Sequence, residues 1–327
     1  MPGRSGLRPA VGLPQARRIH RLPDGEGTLT VNTLLDPARE TKTAPAPARI
    51  SRPPRRIRLP RIALYVLLIA GALEALVPVL WVLSGSLQSG KQLYKGTNPI
   101  PHPFEWGNFA TAWNEGGLSQ YLPNSFLYTS AAVLGILIIA SLAGYALARI
   151  EFPGRGAVVG AILVIMIIPL PASFIAQYKL LITLGLANTR IGYILVLIAG
   201  GLPISILIMR GFFASQPKEL EEAAAIDGAN LFTTFWRIIL PLAKPGLIAV
   251  AVIQAMQVWN EYLMGLVLFN DSSLMPVQRG LTNFMSAETP QQQILLAASL
   301  IAALPIVVFY AIAQRHIISG LSAGALK

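Results

Sequence analysis

Three polar side chains interrupt a long apolar run in the last third of the sequence: Gln254, Gln257 and Glu261 stand at i, i+3 and i+7, which on a helix is one face. Asn260 adjoins them. Polar groups in such surroundings face either protein or water, so the set could line a polar route or hydrogen-bond neighbouring helices, and spacing alone leaves both readings open. Covalent chemistry finds no support. The chain has no cysteine, and its three histidines, His20, His102 and His316, are too scattered for a metal site, so no cofactor or metal is implied. No nucleophile and base can be paired across these stretches. The segment Gly85-Ser86-Leu87-Gln88-Ser89-Gly90-Lys91-Gln92 approaches a phosphate-binding loop, but it lacks the Ser or Thr after its lysine and follows an apolar run instead of a strand. Any work drawn from ATP must therefore come from a separate polypeptide.

A second patterned stretch lies between Arg210 and Lys244. Ser215 is expected to cap a helix that carries Pro217 in its first turn and Glu219, Glu221 and Glu222 after it, where acidic groups complement the helix dipole. Leu220, Ala223 and Ala224 fall at i, i+3 and i+4, an apolar face of small side chains that another backbone can approach closely. Gly228 supplies the left-handed conformation that ends the helix. Asn230 then caps a second helix with the stripe Phe232, Phe235, Trp236, Ile239 and Leu240, and Pro241 and Pro245 mark the turn into the next apolar run. The result is a helix–turn–helix elbow.

Both features need apolar elements to hold them. The chain is 54% hydrophobic and only 13% charged, more apolar surface than one water-soluble core of 327 residues can hide, so a bilayer is the expected solvent. Six stretches are long enough to cross about 30 Å of hydrocarbon: residues 62–84, 124–148, 157–178, 191–209, 245–270 and 292–314. The alternation of barrel strands is absent, which leaves an all-α membrane protein with six transmembrane helices. Orientation follows from the basic residues: with the N-terminus inside, all but five of the 26 Lys and Arg (Lys91, Lys95, Lys179, Arg190 and Arg279) fall on the cytoplasmic side. Both termini and the elbow are then cytoplasmic. Ser141, Gly144 and Ala148 read as a close-packing helix seam, and Glu74 as a buried polar partner or part of a route. Residues 1–60, rich in Arg, Pro and Gly, read as a disordered basic cytoplasmic tail attracted to anionic membrane lipid, with no call for nucleic acid, ahead of a membrane domain at 61–327. No cleavable signal peptide is expected.

The elbow resembles the signature of the inner-membrane permease subunits of binding-protein-dependent ABC importers: Glu-Ala-Ala, three residues, Gly, nine residues, Ile-x-Leu-Pro. Here these positions are Glu222, Ala223, Ala224, Gly228, Ile238, Leu240 and Pro241, with no departure. Trp259-Asn260-Glu261-Tyr262-Leu263 and Gly320-Leu321-Ser322-Ala323-Gly324-Ala325 are similar to sequences of the sugar branch typified by the maltose permease. The resemblance covers residues 60 to 327 and implies a multi-pass subunit of a bacterial plasma membrane, not itself an enzyme. It implies a coupling helix docked on a cytoplasmic ATPase dimer, a second homologous permease subunit, and an external solute-binding protein that delivers a sugar. It also implies that the segment between the last two spans, about residues 270–291, reaches into the binding protein. Two alternatives stand beside it: an ion-coupled secondary transporter, to which Glu74 lends support although no repeat is visible, and an ABC permease for a non-sugar solute such as glycerol phosphate.

Overall fold

Apolar runs of the third and fifth expected spans do not fold as single helices, and proline and capping chemistry explain both breaks. The computed structural model describes residues 61–96, 98–168, 170–285 and 291–325, all within the unit Leu59–Lys327. The basic tail at 1–60 lies outside the described residues. The helices are α1 Arg61–Ser86, α2 Gly90–Lys95, α3 Gly107–Asn114, α4 Leu118–Arg149, α5 Arg155–Ile167, α6 Leu170–Thr183, α7 Arg190–Ser215, α8 Glu219–Ile226, α9 Leu231–Thr234, α10 Leu240–Leu242, α11 Lys244–Trp259, α12 Leu263–Leu268, α13 Val277–Gly280 and α14 Gln292–Ala325. A π-helical turn, Phe235–Ile239, joins α9 to α10.

Four of these are long and apolar enough to cross a membrane, Ile62–Ser86, Leu118–Arg149, Arg190–Ser215 and Gln292–Gln314, and the pair Leu231–Leu242 and Lys244–Trp259, bent by 71°, makes a fifth candidate. The expected span at 157–178 is divided between α5 and α6. Ile168 precedes Pro169 and is extended (φ −72°, ψ 119°), the conformation that a following proline ring forces. The expected span at 245–270 ends its first helix at Trp259 and resumes only at Leu263.

The core is the pairing of α4 with α7, and contacts fix its direction. Asn124 meets Arg190, a Cβ on Gly135 would touch Ile198, one on Gly144 would touch Met209, and Arg149 meets Gln216. The numbers rise together, so the two helices are parallel. α5 and α6, 13 and 14 residues long, must return the chain along this length, and at about 1.5 Å per residue they reach roughly 40 Å. α11 runs antiparallel to α7, with Gln254 beside Gly201 and Ser205 and Gly246 against Phe212. The seam expected at Ser141, Gly144 and Ala148 lies here: Gly144 is buried, and its missing Cβ would sit 2.8 Å from Met209 Cβ and 3.0 Å from the Arg210 amide.

α1 stands largely exposed along one side of α14, and Glu74 is exposed on it with no hydrogen bond or ion pair among the described residues. The turn after α1 is structural. Asn108 Nδ2 donates to the Ser86 and Gln88 carbonyls, Ser89 and Gln92 form a reciprocal cap on α2, and added Cβ atoms at Gly85 and Gly90 would meet Leu296 and Gln293.

Candidate functional site

The elbow forms with one change at its entrance. α7 continues to Ser215, whose hydroxyl donates to the Phe212 carbonyl, so Ser215 closes α7 and does not cap α8. α8 starts after Lys218 with Glu219, Glu221 and Glu222 in its first turn. At its end the Gly228 and Ala229 amides donate to the Ala225 and Ala224 carbonyls, and Gly228 has φ +81°. Nothing lies within 4 Å of where its Cβ would be, so glycine is needed here for backbone conformation alone. Asn230 Oδ1 accepts the Thr233 amide at 2.8 Å and starts α9. Pro241 lacks an N–H and would crowd the turn before it; the wide π turn accommodates this, with the Leu240 amide reaching back to the Phe235 carbonyl.

The face expected to meet a partner is split. Ala224 is buried against the bundle, while Leu220 and Ala223 are exposed and Ile226 is 87% exposed. What turns α8 this way is an ion pair that the sequence reading missed: Arg149 Nε lies 2.9 Å from Glu221 Oε1, and the same guanidinium donates to the Gln216 carbonyl. Gln216 in turn donates to the Ile239 carbonyl. Glu222 points outward. Ile238 and Leu240 are half-buried against a cluster that includes Tyr145, Met209, Phe213 and Phe235, so this part of the motif anchors the elbow to α4 and α7; Pro241 is exposed. The stripe is correspondingly narrower than expected, with Phe235 and Ile239 buried and Phe232 and Trp236 exposed.

At the break after α11, Gln254, Gln257, Asn260 and Glu261 do line one cavity, of about 500 Å³. They do not share a continuous helical face, because α11 stops at Trp259 and Glu261 lies beyond it. The carboxylate of Glu261 is the reason the chain can restart: Oε1 accepts the Met264 amide at 2.6 Å, and Oε2 accepts the Gly265 amide and the Tyr193 hydroxyl at 3.2 and 2.7 Å. An acidic group on the first amides of a helix is favourable in both hydrogen bonding and charge. Gln254 is buried and donates to the Gly201 carbonyl and Ser205 hydroxyl, the packing role. Gln257 is exposed to the cavity and makes no hydrogen bond among the described residues; the Asn260 side chain donates to the Met256 carbonyl. Opposite walls come from Phe174 and Gln177 of α6 and from Gly200 and Gly201 of α7. Tyr193 and these α6 residues had no sequence signal, since their partners are far away in the chain.

Replacing Glu261 by Gln is therefore not a neutral loss of charge. An amide NH₂ would face an N–H or O–H donor, and Gln should destabilise the protein by about 1–3 kcal/mol. Thermal unfolding of the purified variant beside wild type checks this, and equal midpoints would contradict the capping role.

Residues 270–285 are folded onto the bundle instead of projecting from it. Asn124 donates to the Ser273 and Met275 carbonyls, Tyr128 to Leu274, and the Val277 amide to Ser125. Asp271 accepts the Ser273 amide, which holds its carboxyl below the usual range. Residues 286–290, the remainder of the segment expected to reach outward, lie outside the described residues.

A family model described as binding-protein-dependent transport system inner membrane component matches residues 135–322. The chain is similar to the diacetylchitobiose uptake system permease protein NgcG of Streptomyces coelicolor, at 30% identity over 80% of this chain and 88% of that protein. It is also similar to the trehalose transport system permease protein SugB of Mycobacterium tuberculosis, at 33% identity over 77% of this chain and 93% of that one. Among solved structures, a chain of a bacterial ABC transporter that imports the acidic polysaccharide alginate superposes with a TM-score of 0.69 at 25% identity, covering 78% of this chain and 95% of that chain.

Proposed function

The chain belongs to the family of binding-protein-dependent transport system inner membrane components, and from that premise we propose that it carries a saccharide across the bacterial plasma membrane. It is a multi-pass transport subunit of an ABC importer, not an enzyme, and it works with a cytoplasmic ATPase, a second permease subunit and an external binding protein. A sugar as cargo is supported by relatives named for diacetylchitobiose and trehalose. Six crossings are supported by the parallel pairing of α4 with α7, which requires α5 and α6 together to bring the chain back across. The placement of both termini in the cytoplasm is supported by the basic residues gathered at the elbow end, among them Arg149, Arg155, Arg210, Lys218, Arg237 and Lys244. Residues 1–60 form a separate basic segment that meets anionic lipid on that side.

The observation that carries the coupling role is the outward face of α8 together with the clamp behind it. Leu220, Glu222, Ala223 and Ile226 are free to dock, while Ala224 and Glu221 fasten the helix to the bundle. Ile238, Leu240 and Pro241 make the second arm through which a push on α8 reaches α11. The cavity residues Gln254, Gln257, Asn260 and Glu261 line the route, Glu261 by shaping the break.

Gly228→Val tests the elbow. A β-branched residue at φ +81° carries about 1–2 kcal/mol of backbone strain or more and tilts α8, while no neighbour is crowded and insertion is untouched. Membrane abundance should stay normal while co-purification of the ATPase and sugar uptake are lost. Wild-type levels of both would reduce the elbow to a connector.

A further inference from the structure

We propose that the cavity at the α11–α12 break is a binding site, within this chain, for a neutral saccharide. This rests on the import function proposed above and deepens it to a substrate class. Polar side chains at membrane depth are costly unless they meet water, protein or a ligand. Gln177 and Gln257 bring carboxamides to the cavity wall; Gln177 Nε2 donates to the Ser173 hydroxyl at 2.9 Å and keeps a second N–H and its oxygen, so each carboxamide still offers a donor and an acceptor, the pairing that sugar hydroxyls need. Phe174 and Tyr262 present aromatic surface to the same space, suited to the apolar C–H face of a sugar ring. The volume of about 500 Å³ falls within the roughly 300–1,000 Å³ of small-molecule sites.

Charge decides against an anionic cargo. Among the described residues the lining contains no Lys, Arg or His, so none of them offers the guanidinium or ammonium that carboxylates and phosphates call for. Its one charged group, Glu261, is satisfied by two amides and the Tyr193 hydroxyl, leaving a site closed to further anions by repulsion and short of any spare cation. A uronate or a sugar phosphate would therefore be excluded, in contrast to the alginate carried by the structurally similar importer. Gly201 keeps this wall in place: a Cβ there would lie 2.5 Å from both Gln254 Oε1 and Ile136 Cδ1.

The test is equilibrium binding of radiolabelled trehalose, diacetylchitobiose and an alginate disaccharide to the purified complex of both permeases and the ATPase, without its external binding protein. At least one neutral disaccharide should bind and the uronate should not. Phe174→Ala and Gln257→Ala should each raise Kd by about tenfold, Phe174→Tyr should restore it, and Leu180→Ala, on the exposed side of α6, should leave it unchanged. Equal binding of the uronate, no binding of either neutral sugar, or an unchanged Kd in both alanine variants would overturn the site. Loss of the second permease from Phe174→Ala complexes would overturn it too, by making the cavity a subunit seam. Uptake by proteoliposomes supplied with the binding protein separates the two levels: sugar uptake with a failed binding result removes only the site, whereas absence of any sugar uptake removes the import function as well.

Discussion

Replacing Gly144 by Leu is expected to lower the unfolding midpoint of the purified protein by roughly 5–10 °C, corresponding to about 2–3 kcal/mol of overpacking. The site is the closest approach in the α4–α7 seam. Even a Cβ would stand 2.8 Å from Met209 Cβ and 3.0 Å from the Arg210 amide, and a backbone atom cannot swing aside as a side-chain end can. Separating the helices also strains the contacts strung along them, the Arg210 hydrogen bond to the Leu147 carbonyl and the Arg149 contact with Gln216. Those contacts hold the elbow, so the variant should lose ATPase association along with stability. Gly144→Ala should fall between Leu and wild type. An unchanged midpoint for the Leu variant would mean that α4 and α7 do not meet at this seam.

Much of the elbow was legible because its chemistry is local. Gly228 ends a helix through its own backbone freedom, and Asn230 caps the next helix with an amide three residues on. The direction in which α8 faces was not legible. Periodicity places Leu220, Ala223 and Ala224 near one another, but Arg149, far upstream, rotates the helix so that Ala224 turns inward and Ile226 outward. Ser215 failed as a cap for a similar reason: Phe213 is buried against Tyr145 and Phe235, which carries α7 past the point where its polarity suggested an end. Hydropathy averaged over the breaks within the third and fifth apolar runs. Pro169 divides one run, and in the other α11 ends at Trp259 and the chain restarts on Glu261, whose partners include Tyr193 on a different helix. Gln254, Gln257, Asn260 and Glu261 therefore line one cavity for a reason other than the helical spacing by which they were grouped.

The central claim is that the outward face of α8 docks on an ATPase, and the absence of cysteine from the chain allows it to be tested directly. Single substitutions Ala223→Cys, Ile226→Cys and Ala224→Cys can each be labelled with a thiol-reactive photo-cross-linker in the assembled complex. Ile226 is 87% exposed and Ala223 is exposed beside it, while Ala224 is 5% exposed beneath them. Labels at 223 and 226 should cross-link strongly to the ATPase, the label at 224 should react poorly and link only within the chain, and Lys95→Cys, beyond the far end of α1, should give none. Cross-links to the ATPase from residue 95, with none from 223 or 226, would contradict the account.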